Sequence, residues 1–285
     1  MKFVPDFLLE KIPIGKWAKV FVEYLTDNYY DQFRLFSDGL EYLIQEFVDL
    51  LVWIPPLVLI ILICVLSYWL HRKWSLTIGV GIALLFIINL GYWQETLETI
   101  ALVVYATMFS CILGIPLGIA AAHRSWIYTL MRPILDLMQT IPTFVYLIPT
   151  LMLFGLGMVP GLISTVVFAI PAPIRLTHLG VTGVPQQLID AGKAFGASHM
   201  QLLWKVELPH ALPSIMAGLT QCIMLSLSMV VIAALVGADG LGKPVLRALN
   251  SVNIAQGIEA GIAIVIVAIV LDRLLKQPGQ SSTGS

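Results

Sequence analysis

Between long uncharged runs, this 285-residue sequence contains one polar and regularly patterned segment, Leu188-Ile-Asp-Ala-Gly-Lys-Ala-Phe-Gly-Ala-Ser-His-Met-Gln-Leu-Leu-Trp-Lys-Val-Glu-Leu-Pro209. Apolar residues recur in it at helical spacing on both sides of Gly196-Ala-Ser198. Gly196 is typical of a helix end, and Ser198 is typical of the N-cap of a second helix. The segment therefore predicts a short helix–turn–helix, a rigid protrusion suited to docking into a groove on a partner protein.

The composition outside this segment is that of a membrane protein. Apolar residues make up 58% of the chain, charged residues only 12%, and the mean hydropathy is +0.90. A typical soluble domain has about 25% charged residues, so a soluble enzyme is excluded. The net charge of -1 provides no basic excess, so we expect no nucleic-acid partner. We predict an all-α integral membrane protein in a lipid bilayer.

The uncharged runs predict seven transmembrane helices, because about 20 apolar residues span the ~30 Å core of a bilayer. One run of 38 residues is too long for a single span, and the glycines between Gly155 and Gly161 divide it into two. The runs are Leu51–Leu70, Trp74–Gln94, Thr99–Ala122, Leu137–Ile174, Ala211–Ala238 and Ile254–Leu275.

The distribution of charge predicts the orientation. With the N-terminus outside and the C-terminus inside, the inner side holds 9 basic and 4 acidic residues, and the outer side 7 and 13. Basic residues are enriched on the cytoplasmic side of membrane proteins, so the quoted segment is predicted to be cytoplasmic.

Residues 1–50 are acidic and amphipathic, and we do not expect them to span the membrane. They read as a pair of helices on the outer surface of the bundle, or alternatively as a platform for a binding partner. Residues 51–95 supply two additional transmembrane helices before a core at 96–275, and 276–285 read as a flexible tail.

The quoted segment resembles the cytoplasmic signature of the inner-membrane permeases of ABC importers. That signature is Glu-Ala-Ala, three residues, Gly, nine residues, then Ile-x-Leu-Pro. The matching residues here are Asp190, Ala191, Gly192, Gly196, Val206, Leu208 and Pro209, with Asp for Glu, Gly for the second Ala and Val for Ile. In this family the loop, here residues 186–209, couples the permease to its ATPase.

Longer stretches resemble the glycine betaine/proline betaine permeases, and most closely their choline/betaine/carnitine branch. They are Leu135–Pro149, Leu227–Gly237, Gly237–Lys243 and Gly261–Arg273. The resemblance implies a type I importer (MetI-like) core formed by the last five helices. It also implies a homodimer in the bacterial inner membrane, two cytoplasmic ATP-binding subunits, and a periplasmic binding protein that delivers the solute.

The resemblance further implies a translocation subunit without catalytic residues or a cofactor of its own, since ATP and magnesium belong to the partner ATPase. Gly237-x4-Gly242-Lys243 has the spacing of a phosphate-binding loop, but Pro244 stands where that motif has Ser or Thr. We therefore interpret it as a glycine turn. The three cysteines lie alone in apolar runs, so no metal site is expected.

Few residues in the apolar runs are candidates for the pore. Asp136 and Arg132 have i, i+4 spacing, which favours either a mutual ion pair or a gate in which Asp136 changes partners. Phe144 and Tyr146 could offer ring faces to a quaternary ammonium group, or serve in packing. Glu259 could meet a cation at the outer mouth, or be a hydrated carboxylate at a helix start.

Two other classes of protein are alternatives. An ion-coupled secondary transporter of the same solutes is the main one, although the sequence shows no inverted repeat and few ionisable groups in its apolar runs. An intramembrane enzyme is disfavoured, because neither H-E-x-x-H nor Gly-x-Ser-x-Gly occurs.

Overall fold

A computed structural model describes residues 13–275, which form helices and connecting turns without a β-strand. The predicted tail 276–285 and the beginning of the 1–50 segment lie outside these residues. The helices are α1 (Ile14–Trp53), α2 (Pro56–His71), α3 (Trp74–Leu90), α4 (Trp93–His123), α5 (Ser125–Thr140), α6 (Leu147–Phe154), α7 (Met158–Ala169), α8 (Pro171–Thr182), α9 (Gln186–Ala194), α10 (His199–Leu202), α11 (Leu208–Ala233), α12 (Gly242–Ser251) and α13 (Ile254–Leu275). Shorter 3₁₀ or π turns occupy Thr143–Tyr146, Leu203–Glu207 and Ala234–Val236.

The centre of the bundle is built from α4, α7, α8 and α11, whose close approach depends on small residues. A methyl group added to Gly118 of α4 would lie 2.7 Å from the carbonyl oxygen of Ile174 in α8. One added to Gly180 of α8 would lie 3.0 Å from the carbonyl oxygen of Ala211 in α11. Glycine therefore lets backbone meet backbone at both interfaces of α8.

Four stretches are long and apolar enough to cross a membrane: Trp93–His123, Met158–Thr182, His199–Val236 and Ile254–Leu275. Two bent helix pairs, Gly15–Trp53 with Pro56–His71 and Ser125–Thr140 with Thr143–Phe154, raise that number to six if each pair is one span. The 17-residue α3 is apolar but shorter. The count of seven and the outside N-terminus remain predictions.

The long run Leu137–Ile174 breaks at an unpredicted place as well as at the predicted one. Gly155 and Gly157 adopt φ angles of +80° and +135° and end α6, as expected. A second break at Ile141 bends the chain by 107°. Pro142 is its cause, because proline disfavours helical geometry in the residue before it, and Ile141 has a ψ of 131°.

The amphipathic N-terminal segment forms two helices in series across a kink, which are labelled together as α1. Its halves meet at Tyr29, whose φ and ψ of −128° and 18° are not helical. Its apolar side packs on the bundle: the rings of Phe47 and Tyr105 lie 5.7 Å apart, and Ile44 is buried. After Trp53 the chain turns by 99° into α2.

Candidate functional site

The patterned segment folds as the sequence predicts, beginning with the end of α9. The amide of Ala197 donates to the carbonyl of Gly192 at 3.1 Å, and that of Gly196 donates to the carbonyl of Lys193 at 2.9 Å. This pair of bonds is a Schellman motif, which requires a left-handed residue at Gly196. Its φ is +77°, so the glycine predicted as a helix stop has that role.

The second helix, α10, begins at the predicted N-cap. The Ser198 hydroxyl accepts from the Gln201 amide at 3.4 Å, and the Gln201 side chain accepts from the Ser198 amide at 2.8 Å. This reciprocal capping box fixes the direction in which α10 leaves the turn.

At Gly192, α9 contacts α10 and the π turn that follows it. A methyl group added to it would lie 2.5 Å from Cδ2 of Leu202 and 3.8 Å from Cγ2 of Val206. Leu202 is buried by this contact. Glycine in place of the second Ala of the signature therefore allows α9 to lie directly against the following turn.

The outer side of the segment carries polar and apolar groups in the open. Asp190 is exposed, and its carboxylate accepts from the Gln186 side chain at 2.9 Å. Phe195 is 91% exposed and Trp204 is 65% exposed. Leu188, Ala191 and Met200 are exposed as well. Burial of such large apolar side chains in a complex is strongly favourable, so this face is suited to a protein partner.

The segment rejoins the bundle through a π-helical turn at Leu203–Glu207, a rare conformation that is frequent at functional sites. Leu208 and Pro209 of the signature then begin α11, which continues directly from the π turn, where the Leu208 amide donates to the Leu203 carbonyl.

Glu207, which the sequence did not single out, is the buried charged residue of the described chain. Its Oε2 lies 2.7 Å from Nε2 of His123, the last residue of α4. A buried carboxylate is costly unless it is paired, and this contact satisfies it. The pair closes one wall of a cleft of about 670 Å³ that Gln186 and Lys193 also line.

Among the pore candidates, Asp136 forms an ion pair with a partner other than the expected one. Its Oδ1 lies 2.5 Å from a guanidinium nitrogen of Arg175 in α8. The predicted ion pair between Asp136 and Arg132 is therefore wrong. An exposed i, i+4 pair contributes only about 0.3–0.5 kcal/mol, and α8 brings a second guanidinium to the same carboxylate. A sequence separation of 39 residues hid this contact.

The other pore candidates lie apart. Phe144 is 59% exposed in the turn after the 107° bend. The Tyr146 hydroxyl donates to the Met138 carbonyl at 2.5 Å and thus ties the two sides of that bend together. Glu259 is exposed near Tyr92. Within residues 13–275, no hydrogen bond or ion pair joins Asp136, Phe144 and Glu259 to one another.

Two expectations about chemistry can be compared with the structure. The described part of the chain contains no group of three His, Cys, Asp or Glu residues that could hold a metal ion. Gly237 and Gly240 have φ angles of +88° and +117°, and the amide of Leu241 donates to the Thr99 hydroxyl at 2.8 Å. Gly237–Leu241 therefore forms a glycine turn against α4, and Gly242 and Lys243 begin α12.

Residues 114–276 match the family of binding-protein-dependent transport system inner membrane components. The chain belongs to this family. It is 44% identical over 93% of its length to the glycine betaine transport system permease protein OpuAB of Bacillus subtilis, 94% of which is covered. It is 43% identical over 92% of its length to the glycine betaine/carnitine transport permease protein GbuB of Listeria monocytogenes, again covering 94% of the relative.

A third relative, the glycine betaine/proline betaine transport system permease protein ProW of Escherichia coli, is 41% identical over 95% of this chain and 76% of its own length. Among solved structures, the inward-facing MetNI methionine ABC transporter matches with a TM-score of 0.57 and 25% identity. The match covers 62% of this chain and 91% of the compared one. The chain is thus the permease subunit of an ABC importer with the type I, MetI-like fold.

Proposed function

We propose that this permease translocates quaternary ammonium solutes, with glycine betaine as the main substrate and choline or carnitine as related ones. The names of the relatives support glycine betaine as the main substrate, since OpuAB, GbuB and ProW are all glycine betaine permeases. A relative at 33% identity is a glycine betaine/carnitine/choline permease. A periplasmic binding protein delivers the solute, and the chain itself is not catalytic.

The observation that carries the coupling mechanism is the exposed apolar face of the 186–209 segment. Two copies of this permease each present Phe195 and Trp204 to one of two cytoplasmic ATPase subunits, which bind ATP and magnesium. Because the Schellman turn and capping box make the segment rigid, a movement of the ATPase displaces it as a body. The N-terminus lies outside and the C-terminus inside. The residues that shape the segment are Asp190, Gly192, Gly196 and Val206.

Asp136, Phe144, Tyr146 and Glu259 are proposed to line or gate the pathway between the two permease copies. The bend after Thr140 supports this assignment, since interrupted helices bring irregular backbone to solute pathways in transporters. Phe144 offers a ring face to a quaternary ammonium group, which has no N–H to donate.

The proposal is tested by uptake of labelled glycine betaine into proteoliposomes. We expect uptake only when the ATPase, ATP and the binding protein are all present. Uptake by this chain alone, driven by a sodium or proton gradient, would establish the ion-coupled alternative instead.

The docking surface is tested with Trp204→Asp, which should abolish co-purification of the ATPase with the permease. Trp17→Asp is the matched control, because Trp17 is 62% exposed on α1, away from the coupling segment. If the double variant Trp204→Asp, Phe195→Asp still co-purifies with the ATPase, the docking role is contradicted.

A further inference from the structure

Asp136 and Arg175 form an ion pair between two candidate spanning segments that otherwise contain almost no charge. In Ser125–Phe154 the charged residues are Arg132 and Asp136, and in Met158–Thr182 Arg175 is the one Lys or Arg. Charged groups in such segments are costly and are usually retained for function. The pair is accessible, since 34% of the Arg175 side chain and 53% of the Asp136 side chain are exposed.

The three charges do not balance. The two segments hold two guanidinium groups and one carboxylate, so one of the two arginines has no carboxylate partner within them. In the structure the arginine without a carboxylate partner is Arg132, which has no ion pair or hydrogen bond within residues 13–275. An additional carboxylate arriving here would complete the set, and a guanidinium binds carboxylates with two parallel hydrogen bonds.

Asp136 has a second position available to it. Arg132 precedes it by four residues on α5, a spacing at which side chains on a helix can touch. The stacked rings of Tyr128 and His178, with centroids 3.7 Å apart, form a second contact between α5 and α8. Asp136 can therefore change from Arg175 to Arg132 by rotating its side chain, without separation of the two helices.

We propose that Arg175 is a specificity-determining residue that binds the carboxylate of a zwitterionic betaine during translocation. Asp136 pairs with Arg175 in the absence of solute, and it pairs with Arg132 instead when the solute carboxylate binds Arg175. The inference rests on the proposed substrate class. It assigns separate tasks to the two ends of a betaine: Arg175 binds the carboxylate, and the ring face of Phe144 meets the quaternary ammonium group, which cannot donate a hydrogen bond.

The experiment compares three variants of the complete importer, with its ATPase and binding protein, in uptake of labelled glycine betaine per ATP hydrolysed. Arg175→Gln should lower this ratio roughly tenfold or more, the contribution of one hydrogen bond to a charged group. Asp136→Asn should lower the ratio less than Arg175→Gln does, because it removes the gating partner of Arg175 rather than the ligand of the solute carboxylate. Arg175→Lys should be intermediate, since ammonium retains the charge without the planar fork.

Arg34→Gln is the matched control, because Arg34 also pairs with an Asp, Asp38, four residues along an exposed face of α1 at 3.9 Å. Equal losses in Arg175→Gln and Asp136→Asn would show a merely structural ion pair and overturn the inference. An unchanged ratio in Arg175→Gln would also overturn it. No glycine betaine uptake by the wild-type complex would instead refute the proposed substrate class, and this inference with it.

Where Arg175→Gln lowers assembly, the amount of complex in the membrane and the ATPase rate with loaded binding protein separate folding from recognition. The inference expects both to stay near the wild-type values while uptake per ATP falls. A proportional fall in all three quantities, with recovery in the charge-exchanged variant Asp136→Arg with Arg175→Asp, would contradict it.

Discussion

The imidazole of His123 and the carboxylate of Glu207 meet at 2.7 Å and join the end of α4 to the π turn near the end of the coupling segment. The segment is therefore attached to the bundle at three points: through the chain from α8, through the chain into α11, and through this side-chain contact. A push on the segment reaches α4 directly, without passing along the backbone of α11.

Removing Glu207 tests the attachment through its contact with His123. In Glu207→Ala the His123 side chain loses its partner, and the link to α4 is broken. Losing a hydrogen bond that involves a charged group costs about 1.5–3 kcal/mol, so we expect uptake driven by ATP to fall about tenfold or more while the ATPase still binds. Uptake and ATPase binding are measured on the same membranes.

The matched control is Glu23→Ala, which breaks the exposed Lys19–Glu23 pair at 3.4 Å on α1. Exposed pairs of this kind contribute at most about 1 kcal/mol, so uptake should not change. An equal effect of the two variants would show that the His123–Glu207 contact has no special part in coupling.

A second prediction concerns the turn of the coupling segment. Gly196→Ala places a Cβ at a φ of +77°, although no atom lies within 4 Å of that position. The cost is thus confined to the backbone, about 1–2 kcal/mol, and should tilt α10 away from α9. We expect a several-fold loss of uptake with normal membrane insertion.

Gly261→Ala serves as its control, because Gly261 lies in α13 with open space around it and an ordinary helical φ. Wild-type uptake by Gly196→Ala would argue that the orientation of α10 does not matter for coupling.

A third prediction concerns packing in the bundle. Gly118→Ala forces a methyl group to within 2.7 Å of the Ile174 carbonyl and of Cβ of Thr177. Overpacking of this kind costs about 1–3 kcal/mol, so the melting temperature in detergent should fall by several degrees. Gly79→Ala, at an open position on α3, should cause no such loss. If both variants melt alike, α4 and α8 can separate more readily than their contacts imply.

A fourth prediction separates the two aromatic pore candidates. Tyr146→Phe removes the hydrogen bond to the Met138 carbonyl and should lower stability by about 1 kcal/mol, since it loosens the 107° bend. Phe144→Ala removes an exposed ring and should lower uptake without lowering the melting temperature. The reverse pattern would place Phe144 in packing and Tyr146 in the pathway.

Local features of the fold could be predicted from the sequence, because their signals lie within a few residues. Gly196 and Ser198 mark the turn of the coupling segment, and each has the predicted part in it. The second break, at Ile141, was missed although Pro142 signals it. Uniform apolarity from Leu137 to Ile174 fits one long helix and a broken one equally well.

The contacts that make the candidate site could not be predicted in the same way. His123 and Glu207 are 84 residues apart, and Asp136 and Arg175 are 39 apart. A charged residue in an apolar run indicates that a partner exists, but its identity depends on which helices become neighbours. For Asp136 the helical spacing favoured Arg132, and the packing of α8 supplied Arg175 instead.

The glycine contacts on both sides of α8 determine how far a small displacement is carried. Since α4, α8 and α11 meet backbone to backbone, we expect them to move together rather than slide past one another. The 26 residues of α11 make an arm of about 39 Å at 1.5 Å per residue. A tilt of about 10° at the coupling segment would then shift the far end by about 7 Å, roughly the width of a trimethylammonium group.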